Sequence, residues 1–210
     1  MESEQNSKNN EESLESLNQL KINLSEQTKI NQVYVSIILR YKDYIEEKER
    51  ISVAELPRFV IPKNTRIQQK VEEFKSNFEN YVYEKDFYYA SLIAYDFVKN
   101  KISEINLPIE FWFYPNEILE FLIGDIIDKN ILLCSLLIAL GNPSAKVFTV
   151  INNSKQDIFT YYEFNGRVYK MDIKDEVLSF ESKEKMLQTV LINNETTAYE
   201  FNNHVYNDIN

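Results

Sequence analysis

Side chains able to act as nucleophiles or bases are few in this chain of 210 residues, which has one cysteine and one histidine. A thiolate–imidazole pair would make Cys134 a nucleophile and His204 its base. Cys134 lies in an apolar stretch, 131–140, where a free cysteine is usually a small packing residue. His204 lies in a polar segment near the C-terminus, which indicates a surface position. The sequence therefore does not favour a Cys134–His204 active site.

Four aspartates are the next candidates: Asp125, Asp128, Asp157 and Asp172. If they gathered, they would raise one another's pKa or hold a cation. A structural role is the simpler interpretation of the first two, because Asp125 would cap a helix and Asp128 would lie in its first turn. A single cysteine excludes an intramolecular disulfide and any zinc site with several thiolates. We therefore predict no metal and no cofactor.

The elements that position these residues begin after a polar segment, 1–27, which is rich in Glu, Asn and Ser and is predicted to be disordered. Apolar residues then recur at spacings of three and four, which predicts a helix within residues 28–50. They are Ile30, Val33, Ile37, Tyr41 and Ile45. The same helix carries apolar residues on another side, at Tyr34, Val35, Ile38 and Leu39. We expect burial within its own domain, with pairing to a partner helix as the alternative.

A larger domain is predicted over residues 51–206, followed by a short tail at 207–210. Its first part reads as helices at about 65–81, 86–102 and 116–122, and a buried helix follows at 126–140. The pattern then changes to a period of two, with strands at 145–151, 156–164 and 167–172 and a hairpin turn at Asn165-Gly166. A helix at 182–191, capped by Ser182, and a last strand at 201–206 complete an α+β arrangement.

Charge excludes several classes of function. The net charge is −10, and no cluster of Lys and Arg is present to bind nucleic acid or an anionic membrane surface. The longest apolar run covers only about half of a bilayer, and the first residues contain no apolar signal core. We therefore expect a cytoplasmic protein with a protein or peptide partner. The sequence indicates no oligomeric state.

Three segments together resemble the transglutaminase-like family of the papain-like fold. Residues 124–128 (GDIID) and the following helix, which ends in Leu140-Gly141, resemble that family's Gly-Asp-Cys-Glu-Asp segment and its leucine-rich helix. Residues 159–163 and 165–172 resemble its histidine strand, hairpin and aspartate strand. Residues 112–117 (WFYPNE) resemble the segment before the nucleophile in archaeal members. The resemblance implies a buried helix packed on an antiparallel sheet, with a Cys-His-Asp site at the helix start.

The chain departs from this pattern at two of the three catalytic positions. The cysteine position is Ile126, and the histidine position is Asp157, or Ile158 if the strand is one residue shorter. Only the aspartate position is kept, as Asp172. A side chain such as Ile126 can neither ionise nor attack, so we predict a pseudoenzyme in which Ile126 is largely buried.

The resulting hypothesis is a catalytically inactive transglutaminase-like domain that binds or scaffolds protein or peptide. The candidate binding residues are Trp112, Phe113, Tyr114 and Asp125, because consecutive aromatic side chains could line a peptide groove beside the helix start. Two alternatives remain, a hydrolase with a carboxylate-based site and a structural subunit that pairs through its N-terminal helix.

Overall fold

The computed structural model describes residues 21, 24–105, 107, 109, 111–152, 155–191 and 197–209. The chain divides into two compact units, one of residues 1–50 with 108–110 and the other of residues 51–107 with 111–210. Most of the segment predicted to be disordered, residues 1–20, 22 and 23, lies outside the described residues. Residues 24–27, which belong to that prediction, are helical.

The first unit contains helix α1 at residues 24–40 and helix α2 at Lys42–Glu49. The two are separated only by a turn at Tyr41, whose backbone N–H donates to the Ile37 carbonyl at 3.2 Å. The Tyr41 carbonyl in turn accepts from the N–H of Ile45 at 3.0 Å, so the helical path is nearly continuous.

One side of this helix is apolar and exposed, and we call it the apolar stripe. At about 100° per residue, its six members fall within an arc of about 100°. They are Ile30, Val33, Tyr34, Ile37, Tyr41 and Tyr44, with exposed fractions between 45% and 62%. The expectation that this helix is buried within its own domain is therefore wrong. Periodicity shows which side of a helix is apolar but not what covers it.

The second unit begins with a 3-10 helix, Val53–Phe59, and continues with a mainly helical part. The helices are α3 Thr65–Lys75, α4 Tyr83–Lys101, α5 Pro115–Phe121 and α6 Ile126–Ala139, and the short strands β1 Ser103–Glu104 and β2 Ile123–Gly124 pair in parallel. The antiparallel part contains strands β3 Lys146–Asn152, β4 Lys155–Phe164, β5 Arg167–Met171, β6 Val177–Phe180, β7 Thr197–Phe201 and β8 Tyr206–Ile209, with helix α7 Lys183–Val190 before β7.

The six antiparallel strands form one sheet in the order β6-β5-β4-β3-β7-β8. Helix α6 packs on one face, where a large core joins Leu133 and Leu136 of the helix to Ile158 and Tyr162 of β4. Helix α7 packs on the other face through Met186, in a smaller core of its own. The predicted α+β architecture, with a buried helix on an antiparallel sheet, is confirmed.

Local signals located most element ends, and three predictions differ from the structure. The helix predicted at 65–81 ends at Lys75, because the Ser76 and Asn77 side chains donate to the Glu73 carbonyl. The predicted strand 201–206 is mainly the turn between β7 and β8, and residues 207–209, predicted as a tail, belong to β8. Strand β6 was not predicted.

The described helices include none that is both long and apolar enough to cross a bilayer.

Candidate functional site

The candidate site is the start of α6, which begins at Ile126 as the family resemblance implies. Asp125 caps the helix, since its Oδ1 accepts from the backbone N–H groups of Ile127 at 2.7 Å and Asp128 at 2.8 Å. Asp128 reaches back to accept from the N–H of Asp125 at 3.1 Å. These contacts form a reciprocal capping box, which confirms the structural interpretation of both aspartates.

Gly124 allows the chain to approach this cap closely. A Cβ atom at this position would lie 3.1 Å from the Cβ of Asp128. Real Cβ contacts are rarely so short, so any side chain here would push the capping carboxylate away from its partners. The Gly124-Asp125 pair is therefore explained by the helix start itself, without any reference to catalysis.

Ile126 occupies the first position of α6 and is partly exposed while packing against the main core. The expectation that it is largely buried is met only in part. A partly exposed aliphatic side chain offers no group that could attack a substrate or hold a proton. The side chain at this position is therefore chemically inert.

The two residues able to form a thiol–imidazole pair are not at this site. Cys134 lies within α6 and is fully buried, with its sulfur 3.5 Å from the Ala145 carbonyl oxygen, and burial raises its pKa. His204 is exposed in the turn between β7 and β8, where a ring nitrogen lies 3.0 Å from the Asn203 amide. The interpretations of Cys134 as a packing residue and of His204 as a surface residue are confirmed.

The face of strand β4 decides which residue could replace the expected histidine. Ile158 lies in the core that contains α6, and the Thr160 hydroxyl donates to the carbonyl and side-chain oxygens of Asn130 on that helix. Side chains alternate along a strand, and Phe159 belongs to the core on the opposite face. The exposed Asp157 is therefore on the face turned away from α6. Of the two alternatives for the histidine position, Ile158 faces the helix and Asp157 does not.

Asp172 follows β5 and stabilises the turn that leads to β6. Its Oδ1 accepts from the backbone N–H of Lys174 at 3.0 Å, and its Oδ2 lies 3.2 Å from the Lys170 ammonium. Its carbonyl oxygen accepts from the Tyr95 hydroxyl of α4 at 2.7 Å. These contacts explain Asp172 as a turn residue that docks the hairpin on α4.

The predicted binding residues Trp112, Phe113 and Tyr114 form the segment that leads into α5. Trp112 and Phe113 are partly buried against the main core, whereas Tyr114 is exposed and stacks on Phe59 with ring centroids 4.6 Å apart. The backbone N–H of Phe113 donates to Oδ1 of Asp128 at 3.2 Å. Much of the aromatic surface of this segment is therefore used to hold it against the helix start.

The Asp128 carboxyl is buried beside two negative charges and two backbone donors. Its exposed fraction is 2%. Burial, chiefly, and the neighbouring charge of Asp125 together raise its pKa to about 7, although the two backbone N–H groups that it accepts from act in the opposite direction. The pKa of Asp125 is also raised, chiefly by burial. Because this carboxyl is buried and both of its oxygens accept backbone hydrogen bonds, it is not presented to a substrate.

A second cluster of charged side chains, on the α7 face of the sheet, was not predicted. Glu200 of β7 is buried and accepts from the ammonium groups of Lys146 and Lys183 and from the Tyr161 hydroxyl, each at 2.6 Å. Although burial alone would raise its pKa, these hydrogen bonds lower it to about 2. The sequence signal was slight, since Glu200 is one charge in the otherwise uncharged β7. Every oxygen of this cluster has a partner, so it is a structural network.

Two surface depressions of the second unit lie away from the start of α6. One, of about 420 Å³, is lined by residues 163–168 and 181–184, and the other, of about 510 Å³, is lined by residues 57–58, 60–64 and 203. Among the described residues, no three His, Cys, Asp or Glu side chains come close enough to hold a metal ion. Neither depression is lined by a predicted site residue.

No protein-family model matches the chain, and no curated protein matches it at a significant level. Its structure is similar to that of LapG from Legionella pneumophila. The calcium-bound form has 14% identity and a TM-score of 0.41, over 66% of this chain and 86% of LapG. The EGTA-treated form has 14% identity and a TM-score of 0.44, over 76% of this chain and 87% of LapG. A Cytophaga hutchinsonii protein provisionally named a cysteine protease gives 14% identity and a TM-score of 0.43 over 77% of this chain. The chain spans 55% of that protein.

Proposed function

We propose that the chain is a catalytically inactive transglutaminase-like protein that works by binding or scaffolding another protein. The observation that carries the binding role is the apolar stripe of α1 and α2. Surface apolar residues are common singly, but six on one side of a helix are typical of an interaction site.

The proposal of inactivity rests on the start of α6. The position of the expected nucleophile is Ile126, the facing strand position is Ile158, and Asp172 is held in a turn by Lys170 and Lys174. These side chains provide no nucleophile and no base at the place where the family resemblance implies them. The lone thiol, Cys134, is buried in the core and is expected to be unreactive in the folded protein.

Peptide binding beside Trp112 and Tyr114 has less support than binding through the apolar stripe. A peptide groove needs aromatic faces that are open to solvent, whereas Trp112 packs on the core and Tyr114 stacks on Phe59. The carboxylate-based hydrolase also has little support. Its favourable features are the raised pKa values of Asp128 and Asp125, but both carboxyls are held in the cap of α6 by backbone hydrogen bonds.

The test of inactivity uses the full chain with a set of peptide-amide substrates and a thiol-reactive probe. We expect no turnover and no labelling of folded Cys134. Turnover that is lost in Cys134→Ala would overturn the proposal.

Two double variants test the vestigial site itself. Ile126→Cys should react with a small thiol reagent, because Ile126 is partly exposed at a helix start. Adding Ile158→His should raise the reaction rate at neutral pH, since this position faces α6. Adding Asp157→His is the matched control and should change nothing. A rate increase with Asp157→His and none with Ile158→His would contradict the alignment.

A further inference from the structure

The spacing within the apolar stripe indicates the kind of partner that it fits. Five of its members follow one another at intervals of four, three, four and three residues. This average period of 3.5 residues is typical of the seam between two paired helices. The seam is Ile30, Tyr34, Ile37, Tyr41 and Tyr44, and Val33 lies beside it.

A second copy of the same seam matches this spacing residue for residue when the two helices are parallel. Each seam residue then meets its own counterpart, so all five positions of one copy lie against apolar side chains of the other. Beside the seam, Val33 of one copy faces Ile38 of the other, and Arg40 faces Ile45, five residues further along in each case. No two like charges face each other along these flanks.

An antiparallel pair cannot match the whole seam. When the intervals are reversed, the two seams align only if one is displaced by one seam position along the other. One displacement brings Glu26 of one copy beside Glu47 of the other. The opposite displacement sets Ile30 against Lys48 and brings the two copies of Arg40 together. Like charges therefore face each other in either antiparallel pair, and the parallel pair is favoured.

The seam ends at Lys48, which takes the next seam position after Tyr44. A parallel pair brings the two copies of Lys48 near each other, which limits the apolar contact to residues 30–44. The Lys48 ammonium lies 5.7 Å from the centroid of the Tyr44 ring. Because a lysine stem can lie along an apolar surface while its charge stays in water, this end of the seam can be solvated.

Charge and area also suit a second copy. Residues 24–50 contain five Lys or Arg and five Asp or Glu, whereas the whole chain carries a net charge of −10. Two copies of this segment would therefore meet without net repulsion. The six side chains of the apolar stripe together expose roughly 700 Å² in each copy, so two copies could bury up to about 1,400 Å², within the range of specific interfaces. A helix that lies on a membrane would instead carry a polar side rich in Lys and Arg.

From these observations we propose that the apolar stripe binds a second copy of this chain, as a parallel helix pair in register. This inference rests on the proposed binding function and specifies its partner. It makes the protein a dimer held by the first unit, with the Ile37 side chains of the two copies in contact at the middle of the seam. Because both copies use the same surface, the pair closes on itself and leaves no seam for further growth.

The first experiment is sedimentation velocity and equilibrium on the full chain over a range of concentrations. The wild type should be a dimer, and Ile37→Glu should weaken the dimer about tenfold or more, because it places two like charges in contact within the apolar seam. Leu39→Glu is the matched control, since Leu39 is also half exposed but lies on the opposite side of the helix. Far-UV circular dichroism verifies that both variants keep their helices.

Disulfide formation under mild oxidation tests the orientation. Ile30→Cys and Tyr44→Cys should each give a covalent dimer, because a parallel pair sets each position against its own counterpart. An antiparallel pair would separate the two copies of position 30 by about 16 Å or more along the helix axis, whereas a disulfide needs Cα atoms about 4–7 Å apart. Leu39→Cys, on the opposite side, is the control and should remain uncoupled, as should the wild type with its buried Cys134.

Four results would overturn the proposal. They are a monomeric wild type at every concentration, equal loss of the dimer in Leu39→Glu, no coupling of Ile30→Cys with itself in a dimer, and a monomer that binds phosphatidylserine vesicles through Ile37. The third result would show a dimer with another orientation, and the fourth would assign the stripe to a membrane surface. None of these results bears on catalysis, whereas turnover would refute the proposed function whatever the oligomeric state.

Discussion

Replacing Asp128 with asparagine tests whether burial or hydrogen bonding dominates the pKa of the carboxyl at the start of α6. The raised pKa, about 7 against an ordinary 3.8, corresponds to roughly 4 kcal/mol at about 1.4 kcal/mol per pH unit. The folded state holds this proton more tightly than the unfolded state. The wild type therefore has its full stability below about pH 4 and loses this contribution as the pH rises through about 7.

Asparagine cannot ionise, so Asp128→Asn should not share this loss. Its amide nitrogen cannot accept one of the two backbone N–H groups, which costs about 1–3 kcal/mol at every pH. We therefore expect the variant to be less stable than the wild type at pH 5 and to equal or exceed it at pH 8.

The measurement is urea unfolding at pH 5, 6, 7 and 8, followed by circular dichroism. Asp96→Asn, on an exposed part of α4, controls for the general effect of removing one negative charge from an acidic chain. A stability difference that stays constant with pH, or that grows in favour of the wild type, would refute the reasoning. It would show that the helix N-terminus stabilises the ionised carboxylate more than burial destabilises it.

Three further predictions concern stability. Glu200→Gln should destabilise the fold by about 3 kcal/mol at pH 7, because it leaves the Lys146 and Lys183 ammonium groups without their buried counter-charge. Since the pKa of Glu200 is lowered to about 2, the wild-type advantage should shrink as the pH falls from about 4.5, and an advantage of equal size at pH 3 would contradict this. Gly166→Val should lower the melting temperature, because φ is +72° at this turn position and a β-branched residue is strained there. Gly166→Ala should lower it less, and an unchanged melting temperature in both variants would contradict the predicted strain. Leu122→Gly should stabilise the fold by up to about 1 kcal/mol in urea unfolding, because Leu122 ends α5 at a φ of +55°. A loss of stability would show that the contacts of the Leu122 side chain contribute more than the relief of backbone strain.

Local signals in the sequence were sufficient to predict the helix and the hairpin around the candidate site. The aspartate cap fixed the start of α6 at Ile126, and Asn165-Gly166 gave the hairpin, where both residues have positive φ. Strand β6 and the pairing of β7 with β8 were missed, although each strand pairs with its neighbour in the sequence. The helical first unit was predicted, but its exposure was not.

The face on which Asp157 lies shows why the site was harder to predict than the fold. A shift of one residue along a strand moves every side chain to the other face. The sequence left Asp157 and Ile158 as alternatives, and the contacts of Ile158 and Thr160 fix which of them faces α6. The Glu200 cluster was missed because it joins charges from β3, β7 and the start of α7.

The two faces of the large sheet are protected unequally. Among the described helices, α7 alone covers the face that holds Phe148, Phe159 and Tyr161, and it has only eight residues. Lys183, its first residue, is tied to the sheet through Glu200. Backbone amides of α7 should therefore exchange with deuterium before those of α6, through an opening that leaves the rest of the second unit folded. Such an opening would uncover a row of aromatic side chains, and we expect the Lys183–Glu200 ion pair to oppose it.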